Sequence, residues 1–229
     1  KILNESEKSG CIDLVMDPSD PNTIYASMWN RIRRRWSDPV PEDGDHIYKS
    51  TDGGKTWKVI GDGLPETKMT GRIGLAISNS NPNVLYAFVD DHTKKRDPKP
   101  GETDSYERQV QKVVIGGAIY RSNDKGEHWQ KQGEIHDFFK PFSGTYGWVF
   151  SQIRVNPKDE NDVYALGVSM GRSTDAGKTW KMFRPSDRSS ENIHGDNHAL
   201  WFDKEIPQRI ILGNDGGVSI TMDGGKIWN

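Results

Sequence analysis

Two histidines and a carboxylate alternate in His194-Gly195-Asp196-Asn197-His198, and in an extended segment residues two apart point the same way. That spacing sets two imidazoles and a carboxylate side by side, a group able to bind a divalent metal or to shuttle protons. The same residues equally suit a polar loop whose imidazoles bond to backbone. Asp215, in Asn214-Asp215-Gly216-Gly217, can join Asp196 in one site or simply hold a tight turn. Together with Glu66, these are the carboxylates to weigh for glycoside hydrolysis, which needs two of them facing across a sugar, one kept protonated. No phosphate loop, zinc motif of standard spacing or serine nucleophile elbow is present.

Two further groups suit recognition rather than catalysis. Trp29-Asn30-Arg31-Ile32-Arg33-Arg34-Arg35-Trp36 is a basic run flanked by indoles. Arg forks grip carboxylates or phosphates and Trp faces stack on sugars or side chains, so the run fits an acidic peptide or acidic glycan. It also suits a loop docking onto an acidic neighbour. Residues 138–148 gather Phe138, Phe139, Phe142, Tyr146 and Trp148, a ligand platform if exposed and a plug of core if buried. The charged stretch 90–108 reads as a solvated, mobile loop.

Positioning these groups falls to a repeat. STDGGKTW, SNDKGEHW, STDAGKTW and TMDGGKIW end at Trp57, Trp129, Trp180 and Trp228, and a recurring period decides a fold before other signals do. In each copy an Asp (Asp52, Asp124, Asp175, Asp223) and the glycines after it make a hairpin turn, and the Trp opens the next strand where its ring can cover a seam. These eight residues are read as skeleton, not as an active site. A second element precedes each turn: IDLVMDPSDPNTIYA recurs as IGLAISNSNPNVLYA, SQIRVNPKDENDVYA and, more loosely, HALWFDKEIPQRIIL. Each is strand, polar turn, strand. The unit is therefore a four-stranded antiparallel meander, one blade of an all-β propeller. Blades are expected at about 10–60, 72–132, 148–183 and 198–229, with residues 1–4 the last strand of a preceding or closing blade. The whole is read as part of a larger propeller.

Successive turns of a meander alternate between faces, so the Pro-Asn turns and the Asp turns share one face and the long connections share the other. A ligand site is expected on that long-loop face. Composition agrees: 33% hydrophobic residues, 24 Gly and 12 Pro in 229 fit a turn-rich β protein, and no run is long enough to span a membrane. A net charge of −2 gives no general pull toward nucleic acid or anionic lipid. The single cysteine, Cys11, forms no intrachain disulfide.

The octets resemble the Asp-box, or bacterial neuraminidase repeat. Paired with NPNVLYA-type strands, they look like large bacterial secreted propeller proteins of the sortilin-like group, often labelled glycosyl hydrolases. That resemblance covers nearly the whole chain. It implies an extracytoplasmic protein, but it spans sialidases, xyloglucan-cleaving glycosidases, peptide-binding receptors and a photosystem assembly factor, so it does not set an activity. Gly71-Arg72-Ile73-Gly74 departs from the Arg-Ile-Pro motif of sialidases. The expected function is a non-catalytic module binding a protein, peptide or glycan, using Trp29, Arg31, Arg33, Arg34, Arg35, Trp36, Tyr146, Trp148, His194 and His198. The alternative is a glycosidase using Asp196, Asp215 or Glu66. Neither metal nor other cofactor is expected, nor is a nucleic-acid partner.

Overall fold

The computed structural model describes residues 2–31, 41, 44, 46–103, 107–132, 149–183 and 193–229. They form four antiparallel sheets, each a meander in chain order. Blade 1 holds β1 (Ser9–Met16), β2 (Ile24–Asn30), β3 (Ile47–Ser50) and β4 (Lys58–Ile60). Blade 2 holds β5 (Thr70–Ile77), β6 (Leu85–Arg96), β7 (Val113–Ser122) and β8 (Gln130–Lys131). Blade 3 holds β9 (Gln152–Asn156), β10 (Asp159–Leu166), β11 (Met170–Ser173) and β12 (Lys181–Phe183). Blade 4 has three strands among the described residues: β13 (Asn197–Phe202), β14 (Ile210–Asn214) and β15 (Gly217–Thr221). The architecture is an all-β propeller of four blades.

The second strands of blades 2 and 3, β6 and β10, are apolar on both faces because each is sandwiched between two neighbouring blades. In β6, Leu85, Ala87 and Val89 pack toward blade 1 while Tyr86 and Phe88 pack toward blade 3. Three core clusters result, each joining two consecutive blades. Burying one such Leu, Phe or Ile contributes roughly 1.5–3 kcal/mol. The blades approach so closely at β5 that a Cβ added to Gly74 would stand 1.9 Å from the Ser151 carbonyl oxygen.

The Asp turns share one geometry. In the first, Ser50 Oγ donates to Asp52 Oδ1 (2.8 Å), the N–H groups of Lys55 and Thr56 donate to the same oxygen (2.9 Å each), and Thr56 Oγ1 donates to Oδ2 (2.6 Å). Asp175 repeats this set with Ser173, Lys178 and Thr179. In the second turn His128 replaces the Thr, its Nδ1 2.6 Å from Asp124 Oδ2. The Thr56 hydroxyl and N–H hold the Asp52 carboxyl at about 2. For Asp124 and Asp175 burial pushes upward, but the hydrogen bonds more than offset it and both also lie at about 2. The residue after each Asp is left-handed: Gly53 (φ 71°), Lys125 (60°), Ala176 (64°) and Gly224 (74°). Its N–H bonds back to the Pro-Asn turn of its own blade, at Asn22 O, Asn83 O, Asn161 O and Gln208 O (2.9–3.0 Å). The Pro-Asn and Asp turns therefore share one face.

One expectation needs correcting. The stretch 90–108 is not simply a loop: β6 runs on to Arg96, laddered against β7 through Asp90↔Gly117 and Asp91↔Gly116, and Arg96 forks onto Glu102 with two bonds of 2.8 Å. Its charges decorate a ribbon. Ile2 and Leu3 lie in no strand. Ile2 is 76% exposed.

Candidate functional site

On the face opposite the Asp turns lie the leading ends of the inner strands β1, β5, β9 and β13 and the β2–β3, β6–β7, β10–β11 and β14–β15 connections. At blade 4, His198 Nε2 lies 2.8 Å from Asp215 Oδ1, and the imidazole packs on buried Phe150 with ring centroids 5.2 Å apart. The other members do not alternate as an extended strand requires. Asp196 is left-handed (φ 59°), and the ladder shifts register between Asn197 and Ala199. Asp196 meets Asp215 through backbone instead, Asp215 N donating to Asp196 O at 3.2 Å. His194 is turned onto Gly216, where an added Cβ would come within 2.6 Å of the His194 Cβ. The structure thus joins His198 to Asp215 and directs His194 elsewhere. No group of three or more His, Cys, Asp or Glu among the described residues is placed to hold a metal ion.

Trp29 is the penultimate residue of β2 and is 4% exposed. Its ring is covered rather than free: the Arg31 guanidinium lies 5.3 Å from its centroid, a cation–π pairing that leaves the exposed Arg31 as the presented group. Arg33, Arg34, Arg35, Trp36, Tyr146 and Trp148, and the rest of the 138–148 cluster, lie outside the described residues. Glu66 is exposed before the short 3-10 turn Thr67–Met69, and no described contact brings it to Asp196 or Asp215.

The sequence reading weighed Arg72 only against the sialidase motif, and it missed the pairing of Asp90 with His92. Arg72, at the start of β5, donates from Nη1 to the Val149 carbonyl. Burial pushes its pKa down, and Arg31 and Arg154 add like charge near it against the single opposite charge of Asp13. Asp90, 3% exposed, pairs with His92 Nε2 at 3.0 Å and abuts Gly71, where a Cβ would meet its Oδ2 at 2.8 Å. Their alternation on β6 was the available signal, hidden because the stretch was read as a loop. A cavity of about 390 Å³ lies among the four inner strands, bordered by Asp13, Arg154, Lys204, Leu14, Met16 and Trp201. Its lining also includes Asn79 and Pro157 and does not include His198 or Asp215.

This face can present cations and a hydrogen-bonded imidazole–carboxylate pair. Among the described residues it does not set two carboxylates opposite one another.

Comparison with known proteins fits this architecture. Residues 48–59 match the BNR/Asp-box repeat. The dispase autolysis-inducing protein of Streptomyces mobaraensis is 37% identical over 79 residues, 34% of this chain and 21% of that protein. Among solved structures, the GH74 enzyme of Niastella koreensis aligns with 99% of this chain and 30% of its own (TM-score 0.60, 17% identity). The GH74 xyloglucanase of Xanthomonas campestris aligns with 96% and 30% (0.61, 14%). YCF48 from Cyanidioschyzon merolae aligns with 97% and 56% (0.54, 12%). At these identities the structural likeness is one of fold. The chain spans less than a third of the length of either GH74 protein.

Proposed function

We propose that this chain, an Asp-box β-propeller, is a non-catalytic, extracytoplasmic binding or assembly module that recognises an acidic partner, peptide, protein or glycan, through its long-loop face. The observation that carries the reading is the composition of that face. Arg31 is presented over Trp29, and Arg72 lies behind it. The basic run continues in sequence through Arg33, Arg34 and Arg35. Guanidinium forks suit carboxylates and phosphates. The relative from Streptomyces mobaraensis, named for inducing the autolysis of dispase, supports action on a protein.

Glycoside hydrolysis is the second reading, favoured by the His198–Asp215 pair and by the GH74 neighbours. One paired experiment separates the two. The protein is titrated with a fluorescent acidic peptide and with polygalacturonate, and separately incubated with xyloglucan while reducing ends are followed. Binding to an acidic probe, lost when Arg31, Arg33, Arg34 and Arg35 become Ser and with no reducing ends released, is the expected result. Probe binding unchanged in that variant would defeat the reading. Sugar release abolished by Asp215→Asn would replace it with the second.

A further inference from the structure

A second concave site opens at the seam between blades 1 and 2, and it shares no lining residue with the cavity among the inner strands. After Ile60 the chain crosses between the blades as Gly61-Asp62-Gly63-Leu64-Pro65-Glu66. This link is pinned along its length: Leu64 N donates to Gly61 O (2.9 Å), Trp129 N to Asp62 O (2.7 Å) and the buried Thr70 Oγ1 to Glu66 O (3.0 Å). At Gly63 a Cβ would stand 2.1 Å from the Trp129 carbonyl oxygen, so only glycine lets the link lie this close. Between the link and the ends of β3, β4 and β5 is a cavity of about 290 Å³. Because its walls are fixed in advance, little ordering cost remains for whatever enters.

The walls are apolar: Ile47, Val59, Ile60, Leu64, Pro65 and Ile73. Ile47, Ile60 and Ile73 are buried members of the seam core, whereas Val59 is 47% exposed and leaves that side open. His46 supplies the one ring in the lining. Its Nδ1 bonds to Glu5 Oε1; a carboxylate only accepts, so in the neutral imidazole the proton sits on Nδ1 and Nε2 is an acceptor for a backbone N–H. The one charged lining group that is not His46 is Asp62, whose side chain is 77% exposed at the rim.

We infer that this cavity takes one aromatic or branched apolar side chain of an acidic peptide, whose carboxylates lie on the neighbouring arginine. The inference rests on the acidic-partner reading above and narrows that partner to a peptide. Size supports it, since sites for drug-sized ligands run from roughly 300 to 1,000 Å³ and this one lies at their lower edge. A sugar is disfavoured because no Trp, Tyr or Phe lines the cavity to stack on it. The carboxylates themselves are kept out by Asp62 and by the apolar walls. They have a place nearby: Met28 N donates to His46 O (2.8 Å), and β2 leads on from Met28 to the exposed Arg31, about 10 Å away at the rise of a strand. An extended peptide spans that distance in about three residues, which sets the spacing between its apolar and acidic side chains.

Titration of the full native polypeptide with two labelled peptides tests this: Glu-Glu-Gly-Gly-Phe-Gly-Gly and the same peptide with Ala for Phe. The parent should bind the Phe peptide about tenfold tighter, the value of burying one such side chain after ordering costs. Val59→Trp, which fills the open side of the cavity, should erase that difference while keeping the affinity for the Ala peptide, which also reports that the variant is folded. Leu64→Ala, which widens the cavity, should move the preference from Phe toward a Trp peptide. Added salt should weaken both peptides alike and leave their ratio unchanged, because apolar burial is not screened. Equal affinity of the two peptides for the parent, still salt-dependent, would overturn the inference and leave the acidic-partner reading standing. A Phe preference untouched by Val59→Trp and Leu64→Ala would place the side chain elsewhere and overturn it as well. Binding of polygalacturonate with neither peptide bound would give the face to a glycan, and binding of none of these probes would remove both readings.

Discussion

Arg172 is the residue whose loss the structure prices most clearly. Its Nε and Nη2 form a fork on Asp162 (2.8 and 3.0 Å), and its Nη1 crosses to Gly224 O. The Asp162 side chain is 5% exposed, and that of Arg172 is 30% exposed. Replacing Arg172 with Met keeps the apolar stem over Tyr164 but leaves Asp162 with one described donor, Asn156 Nδ2 at 2.8 Å. Stranding a buried charge costs about 3–5 kcal/mol, and the partial exposure of Arg172 places this case near 3. The clamp to Gly224 adds about 1 kcal/mol, not strictly additive. For a chain of this length, 3 kcal/mol lowers the thermal midpoint by about 6–12 °C. Arg172→Met combined with Asp162→Asn removes the stranded charge and should recover stability to within about 1 kcal/mol of the parent. Urea unfolding followed by tryptophan fluorescence measures both variants. If Arg172→Met alone lies within about 1 kcal/mol of the parent, or if Asp162→Asn gives no recovery, the seam is not held as argued.

Three other outcomes follow from the Asp turns. Ala176 is left-handed at φ 64°, so Ala176→Gly should stabilise by about 0.5–1 kcal/mol in the same unfolding assay, and a loss of stability would contradict the strain argument. The carboxyls of Asp52, Asp124 and Asp175 lie at about 2 against an ordinary 3.8. Because the folded values are depressed, their stabilisation is complete above about pH 4 and is lost as pH falls toward 2. A midpoint constant from pH 5 to 2 would refute this. His128 is shifted the other way: its hydrogen bond to Asp124 raises it above 6.5. That contribution is full below the ordinary value and disappears as pH rises through the folded one. His128→Thr, which restores the residue of the first and third turns, should flatten the dependence of the midpoint between about pH 6 and 8.

The blades were legible because their signals are local. Asp52 and its three partners lie within seven residues, from Ser50 to Thr56, and each partner type is visible in the octet. The shared face of the two turn types followed from the meander alone. What stayed hidden depends on backbone detail or on distance along the chain. Alternation predicted His194, Asp196 and His198 on one side, but a left-handed Asp196 and a register shift rotate the segment and give His198 to Asp215 instead. Trp29 read as a stacking platform, yet its burial is decided by packing that no local pattern records. The seams between blades carry a repeated tyrosine–cation pair, written in the sequence as Tyr25 with Lys49, Tyr86 with Arg121 and Tyr164 with Arg172. Their meaning emerges only once strand register pairs residues 24, 35 and 8 positions apart.

The bond from each Asp turn back to its own Pro-Asn turn bears on how such a chain can change over evolutionary time. It closes every repeat on itself at one rim, so a duplicated or exchanged blade carries that fastening with it. Variation is thereby steered to the opposite rim. The long ribbon of β6 and β7 already shows one repeat extended there while its turn keeps the same bond, Lys125 N to Asn83 O at 2.9 Å. A lineage built this way can acquire new specificities by lengthening loops while its fold is inherited unchanged.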